Sequence, residues 1–198
     1  MTLWLVRHAQ PLVAPGVCYG ATDVPADPAA TLEAASALAE VLPLGLPLVS
    51  SPLRRCTQLA EALQTLRPDL AGSTDARLAE MDFGCWEGWR WDAIDRAEIE
   101  RWTQAFASHR FGGRESVQAL MDRVAGARRD TAALAGGDGS GRGDSNSDSS
   151  GSNGAVWITH AGVIRAARLL ARGIGSIDQA HQWPREAIGF GQWQRQAL

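Results

Sequence analysis

Two of the four histidines directly follow short apolar runs: His8 comes after Leu3-Trp4-Leu5-Val6-Arg7, and His160 after Ala155-Val156-Trp157-Ile158-Thr159. Runs this short and this apolar are typical of strands buried on both faces of a parallel sheet. The end of such a strand is where α/β folds bind ligands. A lone histidine there often only caps the strand or satisfies a carbonyl, so the pair carries more weight than either member. Arg7 adjoins the first histidine, and Arg55 lies just past a third apolar run, Leu48-Val49-Ser50. Guanidinium groups match phosphate oxygens in geometry as well as charge. Two arginines beside two histidines at one sheet edge therefore make a site for a small dianion, and helix N-terminal amides after Gly162 can add hydrogen bonds.

Bringing these residues together requires strands and helices in alternation. After the first run, the stretch from Pro11 to Pro28 is rich in Pro, Gly and Asp and reads as irregular chain. Asp27 then caps a helix with Pro28 in its first turn, running to Val41 or Leu42. Pro43, Gly45 and Pro47 break it, Leu48-Val49-Ser50 forms a second buried strand, and Ser51-Pro52 opens a helix through Leu66. Residues 74–91 hold a short strand and a loop dense in Trp and Gly. Helical patterns follow over Asp92–Phe106 and Glu115–Leu134. Ala155–Thr159 is another strand, Val163 to Arg172 another helix, and Phe190–Gln194 a last strand. The alternation predicts a three-layer α/β/α sandwich with a mixed, mostly parallel central sheet.

Composition narrows the function. The 198 residues, 45% of them hydrophobic, suit one domain over 1–198 with a core that needs no disulfide or structural metal. All 19 basic residues are arginines, but 22 acidic ones outnumber them. The net charge of −3 supplies no global field for nucleic acid or an anionic membrane. No apolar run approaches the roughly 18 residues of a membrane span, and the N-terminus reads as neither leader nor anchor. Cys18, Cys56 and Cys85 form no CxxC pair, which suits a reducing, cytoplasmic setting. No metal-ligand spacing is present. The tract 136–154 consists of Gly, Ser, Asp, Asn and one Arg; with nothing apolar to bury, it reads as a flexible surface loop.

Leu5-Val6-Arg7-His8-Ala9-Gln10-Pro11 resembles the Arg-His-Gly signature of the histidine phosphatase superfamily, the phosphoglycerate-mutase-like enzymes, with Ala9 where Gly is common. Three further motifs follow in the family's order. Ser50-Ser51-Pro52-Leu53-Arg54-Arg55 is similar to the second and selects Arg55 over Arg54. Leu78-Ala79-Glu80 through Phe83-Gly84-Cys85-Trp86-Glu87-Gly88 resembles the acid loop, and Thr159-His160-Ala161-Gly162 the second-histidine motif. Phe111-Gly112-Gly113-Arg114-Glu115-Ser116 resembles a helix-start motif in which a small residue usually stands where Arg114 does.

The resemblance implies that His8 attacks phosphorus and carries the phosphoryl group, that Arg7, Arg55, His160 and the amide of Ala161 surround it, and that Glu80 protonates the leaving oxygen. No metal or cofactor takes part in this scheme. Imidazole is nucleophilic only when neutral, and its second nitrogen must then donate to a fixed acceptor. Asp82 is a weaker contender for the acid, and Glu87 reads as a brace for the loop or for Arg7. Gly16-Val17-Cys18-Tyr19-Gly20-Ala21-Thr22-Asp23-Val24-Pro25 is most similar to the segment found in α-ribazole-5′-phosphate phosphatases of cobalamin assembly. That points to a small phosphomonoester with a flat base; Tyr19 and Trp86 become candidates to contact it, and at least one of Trp86, Trp89 and Trp91 is expected to line its pocket. Alternatives are a broad-specificity sugar or nucleotide phosphatase, a mutase-like enzyme, or a phosphate-binding module that retained the fold.

Overall fold

The computed structural model describes residues 1–136, 154–186 and 188–198. Strand β1, Thr2–Arg7, pairs in parallel with β4, Gly154–Thr159, in a register running from Thr2 opposite Gly154 to Arg7 opposite Thr159. On the other side of β4 lies β2, Leu48–Ser50, also parallel, followed by the short β3, Gly72–Thr74. The antiparallel strand β5, Trp193–Ala197, closes the far edge beside β1, giving the order β3-β2-β4-β1-β5. This is the mixed, mostly parallel sheet that the alternation predicts.

Period-two alternation divides the apolar runs between the two faces of the sheet. Leu3, Leu5, Ala155 and Trp157 face helices α4, Val117–Gly136, and α5, Ala161–Ala171. Trp4, Val6, Val156 and Ile158 face helices α1, Pro28–Val41, and α2, Arg54–Leu66. Both central strands are thus buried on both sides, as their unbroken apolarity requires. Trp157 is fully buried, yet its indole N–H finds the Thr131 hydroxyl at 3.0 Å. A short helix α3, Arg96–Gln104, lies between sheet and α4 in sequence.

Several boundaries differ from the sequence expectation. Helix α2 starts at Arg54 rather than at Ser51-Pro52, because Leu53 keeps an extended backbone and becomes the cap residue. Ser51 stays outside the helix, its hydroxyl accepting from the Leu53 amide. Helix α3 is shorter than Asp92–Phe106, since Asp95 caps it at Ala97 and Trp91–Ala93 forms a separate single turn. Helix α5 begins at Ala161, two residues before Val163, with His160 as its extended cap residue. The last strand lies three residues later than Phe190–Gln194. Gly191 takes φ +70° and donates to the His8 carbonyl, so Phe190–Gly191 is a turn. Of the polar tract at 136–154, Gly136 ends α4 and Gly154 opens β4; the rest lies outside the described residues.

Asp27 accepts from the Ala30 amide at 2.8 Å and caps α1 ahead of Pro28, as its position implies. Asp27→Ala is expected to destabilise the protein by about 1 kcal/mol, read as a lower denaturant midpoint at unchanged slope.

Candidate active site

The strand register places the two histidines side by side. His8 and His160 each stand one residue beyond the paired ends Arg7 and Thr159, and the His8 amide donates to the Thr159 carbonyl at 3.0 Å. Their ring centroids are 5.2 Å apart, and both side chains are almost wholly buried. His8 Nδ1 lies 2.7 Å from the Ala9 carbonyl oxygen. A carbonyl only accepts, so Nδ1 carries the proton and Nε2 keeps its lone pair. Burial, reinforced by the charges of Arg55 and Arg7, lowers the His8 pKa to about 3 despite the opposing pull of the Ala9 carbonyl. The ring is neutral at any physiological pH.

Partners also decide the tautomer of His160. Arg55 Nε donates to its Nδ1 at 3.3 Å, so Nε2 is protonated and donates to the Ser51 hydroxyl at 2.8 Å. Burial, then Arg55, hold this imidazole well below its ordinary pKa. Arg55 is itself fully buried and spends two further donors on the carbonyls of Thr22 and Gly20, at 2.8 and 2.7 Å. Its guanidinium carbon lies 5.3 Å from the centre of the Tyr19 ring. Arg7 donates to the Ile188 carbonyl at 2.7 Å and stacks 3.8 Å from the centre of Phe190, while its Nε is buried with no hydrogen-bond partner among the described residues. Two cations therefore flank a neutral imidazole pair with no ion pair to either among the described residues, an arrangement that an incoming dianion would neutralise.

Glu80 reaches the same corner. Its carboxylate accepts from the amide of Gly162, in the first turn of α5, and from the Met81 amide, both at 3.0 Å. A Cβ at 162 would overlap that carboxylate, so only glycine admits it there. The stretch leading to Glu80 is pinned to β4 by the Thr159 hydroxyl, which donates to the Leu78 carbonyl at 2.7 Å. Glu87 accepts from the amides of Ala21, Thr22 and Phe83 and from the Thr22 hydroxyl. It ties the 20–22 loop, which holds Arg55, to the acid loop. Gly20 packs so tightly on the Met81 carbonyl that a side chain there would collide with it. Asp82 turns away to bond the Gly84 amide and Arg114.

Beside Glu80 and Gly162 lies a cavity of about 420 Å³, walled by Phe83, Trp91, Trp102, Phe106 and Trp183 with Arg165 at its side. Of the tryptophans near the acid loop, Trp91 borders this cavity. Trp86 packs instead against Trp89 and Phe111, at ring separations of 5.8 and 6.1 Å, and is not among the lining residues. Among the described residues no cluster of His, Cys, Asp and Glu is arranged to hold a metal ion.

The model of the histidine phosphatase superfamily (branch 1) matches residues 3–186. The chain belongs to this superfamily. It is a phosphoric monoester hydrolase. No curated protein matches its sequence. Among solved structures it is similar to mycobacterial glucosyl-3-phosphoglycerate phosphatase, with 24% identity and a TM-score of 0.76 over 98% of this chain and 88% of the other, a likeness of fold. It is also similar to TTHB049 from Thermus thermophilus, with 29% identity and a TM-score of 0.66 over 98% of this chain and 92% of the other.

In this phosphatase, His8, Arg7, Arg55, His160 and Glu80 meet at one corner, with Ala161 opening α5 beside them. Tyr19 lies under Arg55, whereas Arg114 is exposed and paired with Asp82. Cys18 is buried, and burial pushes its thiol up to about 12, well away from reactivity. Two participants escape sequence reasoning. Phe190 reads as a strand residue but lies under the Arg7 guanidinium and packs, tilted by 39°, against the His8 ring at 5.4 Å. Arg123, on α4, carries no local sequence signal, and only the fold brings it to Glu115, two residues ahead of that helix.

The lowered pKa of His8 couples stability to pH. The unfolded chain takes up this proton near pH 6.5 while the native chain does so only near 3, so the stabilisation is complete above 6.5 and is lost as pH falls toward 3. The loss from this one group has a limiting slope of about 1.4 kcal/mol per pH unit. Denaturation between pH 7 and 4 should show a shallower acid decline for His8→Asn than for the native sequence.

Proposed function

We propose that this phosphatase works through a phosphohistidine on His8, without metal, and that its substrate is α-ribazole 5′-phosphate. The observation that carries the mechanism is the tautomer of His8, with Nδ1–H committed to the Ala9 carbonyl and Nε2 unprotonated in a buried, doubly cationic corner. Nε2 attacks phosphorus, and the N–P bond forms as the ester P–O bond breaks. Arg7 and Arg55 offset the charge on the equatorial oxygens. The unpartnered Nε–H of Arg7 suits one of them. From the junction of β4 and α5, the Ala161 amide and the His160 Nε2–H, released from the Ser51 hydroxyl, complete the cradle. Glu80, in its acid form, gives its proton to the departing alkoxide, then takes one from the water that attacks the phosphohistidine and restores neutral His8.

The aromatic cavity beside Glu80 supports the substrate reading, because the leaving group of a benzimidazole riboside is flat, apolar and the right scale for a pocket walled by indole and phenyl rings. The resemblance of residues 16–25 to the α-ribazole-5′-phosphate branch points the same way. On this reading the whole chain is one catalytic domain of cobalamin assembly, at work in the reducing cytoplasm that three free thiols favour.

Steady-state hydrolysis in EDTA of α-ribazole 5′-phosphate, AMP, 3-phosphoglycerate, glucosyl-3-phosphoglycerate and p-nitrophenyl phosphate tests both parts. The expected result is full activity under chelation and the highest kcat/KM on α-ribazole 5′-phosphate. A flat profile would identify a general phosphatase, and a preference for glucosyl-3-phosphoglycerate would move the substrate to that of the mycobacterial neighbours. His8→Ala should fall to background and leave no acid-labile phosphate on the protein after a rapid quench. Glu80→Gln should lose about 10²–10⁴-fold on alkyl phosphates and far less on p-nitrophenyl phosphate, whose phenoxide leaves with little protonic help.

A further inference from the structure

The helix-start motif Glu115-Ser116 finds no part in the scheme above, yet it faces Glu80 from behind. Arg123, two turns along α4, uses all five of its N–H donors. Nη1 donates to the carbonyls of Arg77 and Ala79 at 2.6 and 2.7 Å, and Nη2 to the carbonyl of Glu80 itself at 3.1 Å. Nε and Nη2 make a two-pronged pair with the Glu115 carboxylate at 2.7 and 3.1 Å. Glu115 in turn accepts from the amide of Asp82 at 3.1 Å. The ion pair therefore grips the backbone on both sides of the acid, three carbonyls up to Glu80 and one amide beyond it. The two side chains are only 20% and 16% exposed, so the pair is shielded from the solvent screening that weakens surface ion pairs.

The segment needs such a grip, because Glu80 sits on irregular chain. Ala76–Leu78 is a single 3-10 turn, and no strand or helix ladder covers residues 79–83. Every other group that holds the phosphoryl corner comes from a strand end or a helix start. An acid must lie within hydrogen-bond reach of the leaving oxygen, and a misplacement of 1 Å can cost about 10²-fold. We propose that the Arg123–Glu115 pair is a positioning device for the general acid, holding the Glu80 backbone so that its carboxyl meets the leaving oxygen. The proposal rests on Glu80 being that acid. It assigns Arg123 and Glu115 an effect on one step, proton delivery, and none on attack by His8.

The test is a leaving-group comparison. Arg123→Lys keeps the charge and most of the stem, but a single ammonium cannot span three carbonyls and a carboxylate. Glu115→Ala removes the second half of the pair from the other side and serves if the arginine variant does not fold, as judged by its thermal transition. With an alkyl phosphate and p-nitrophenyl phosphate as paired substrates, either variant should lose about 10–100-fold in kcat on the alkyl ester, within the range general acids supply. On p-nitrophenyl phosphate the loss should be only a few-fold, with KM little changed on both. Combined with Glu80→Gln, Arg123→Lys should add almost nothing to the loss that Glu80→Gln alone produces, since residues acting through one group are not additive.

Equal losses of either folded variant on both substrates, or full additivity with Glu80→Gln, would overturn the positioning role while leaving Glu80 as the acid. Equal losses on both substrates for Glu80→Gln itself would instead remove the acid assignment, and with it the basis of the proposal.

Discussion

The parallel pairing of β1 with β4 is the constraint on which the rest depends. Arg7 opposite Thr159 leaves His8 and His160 as the next residues on adjacent strands, one strand spacing apart and at the same height above the sheet. A slip of one residue would turn Leu3 and Leu5 onto the face of Trp4 and Val6 and scatter the histidines. Two packed cores oppose that slip, because each strand commits alternate side chains to a different layer of helices. What holds the two histidines side by side is thus the packing of the two hydrophobic cores beneath them.

Above the sheet the chemistry is set by desolvation. Burial keeps both imidazoles neutral, and each tautomer is dictated by a partner with a single possible role: a carbonyl that must accept from His8, a guanidinium that must donate to His160. Arg7 and Arg55 carry charge into the same enclosed space with no carboxylate partner among the described residues. Such an arrangement is costly in the free protein, and an incoming dianion would relieve it, so that binding energy and charge complementarity would come from the same residues.

The loops complete the site by tying to one another. Glu87 draws the 20–22 loop against the acid loop, the Thr22 and Gly20 carbonyls orient Arg55, and Gly20 and Gly162 are the points where only glycine permits the approach. Glu80 is held at its side chain by the Gly162 amide and at its backbone by Arg123.

The strands, the helix order and the positions of His8, Arg7, His160 and the Asp27 cap were legible in the sequence, since apolar period, caps and breakers are local signals of a few residues. Choosing Arg55 over Arg54, and Glu80 over Asp82, required a family resemblance. Both choices depend on which side chain faces inward across 20 or more residues of chain, which no local period records. The tertiary structure alone decided the rest: which of Trp86, Trp89 and Trp91 borders the cavity, and that Trp102 joins Trp91 there; the stacking of Phe190 on Arg7; and the reach of Arg123 across to residues 77–80. Those contacts join residues distant in sequence through irregular backbone, whose path is set by the packing of the finished core and not by the propensities of the residues that form it.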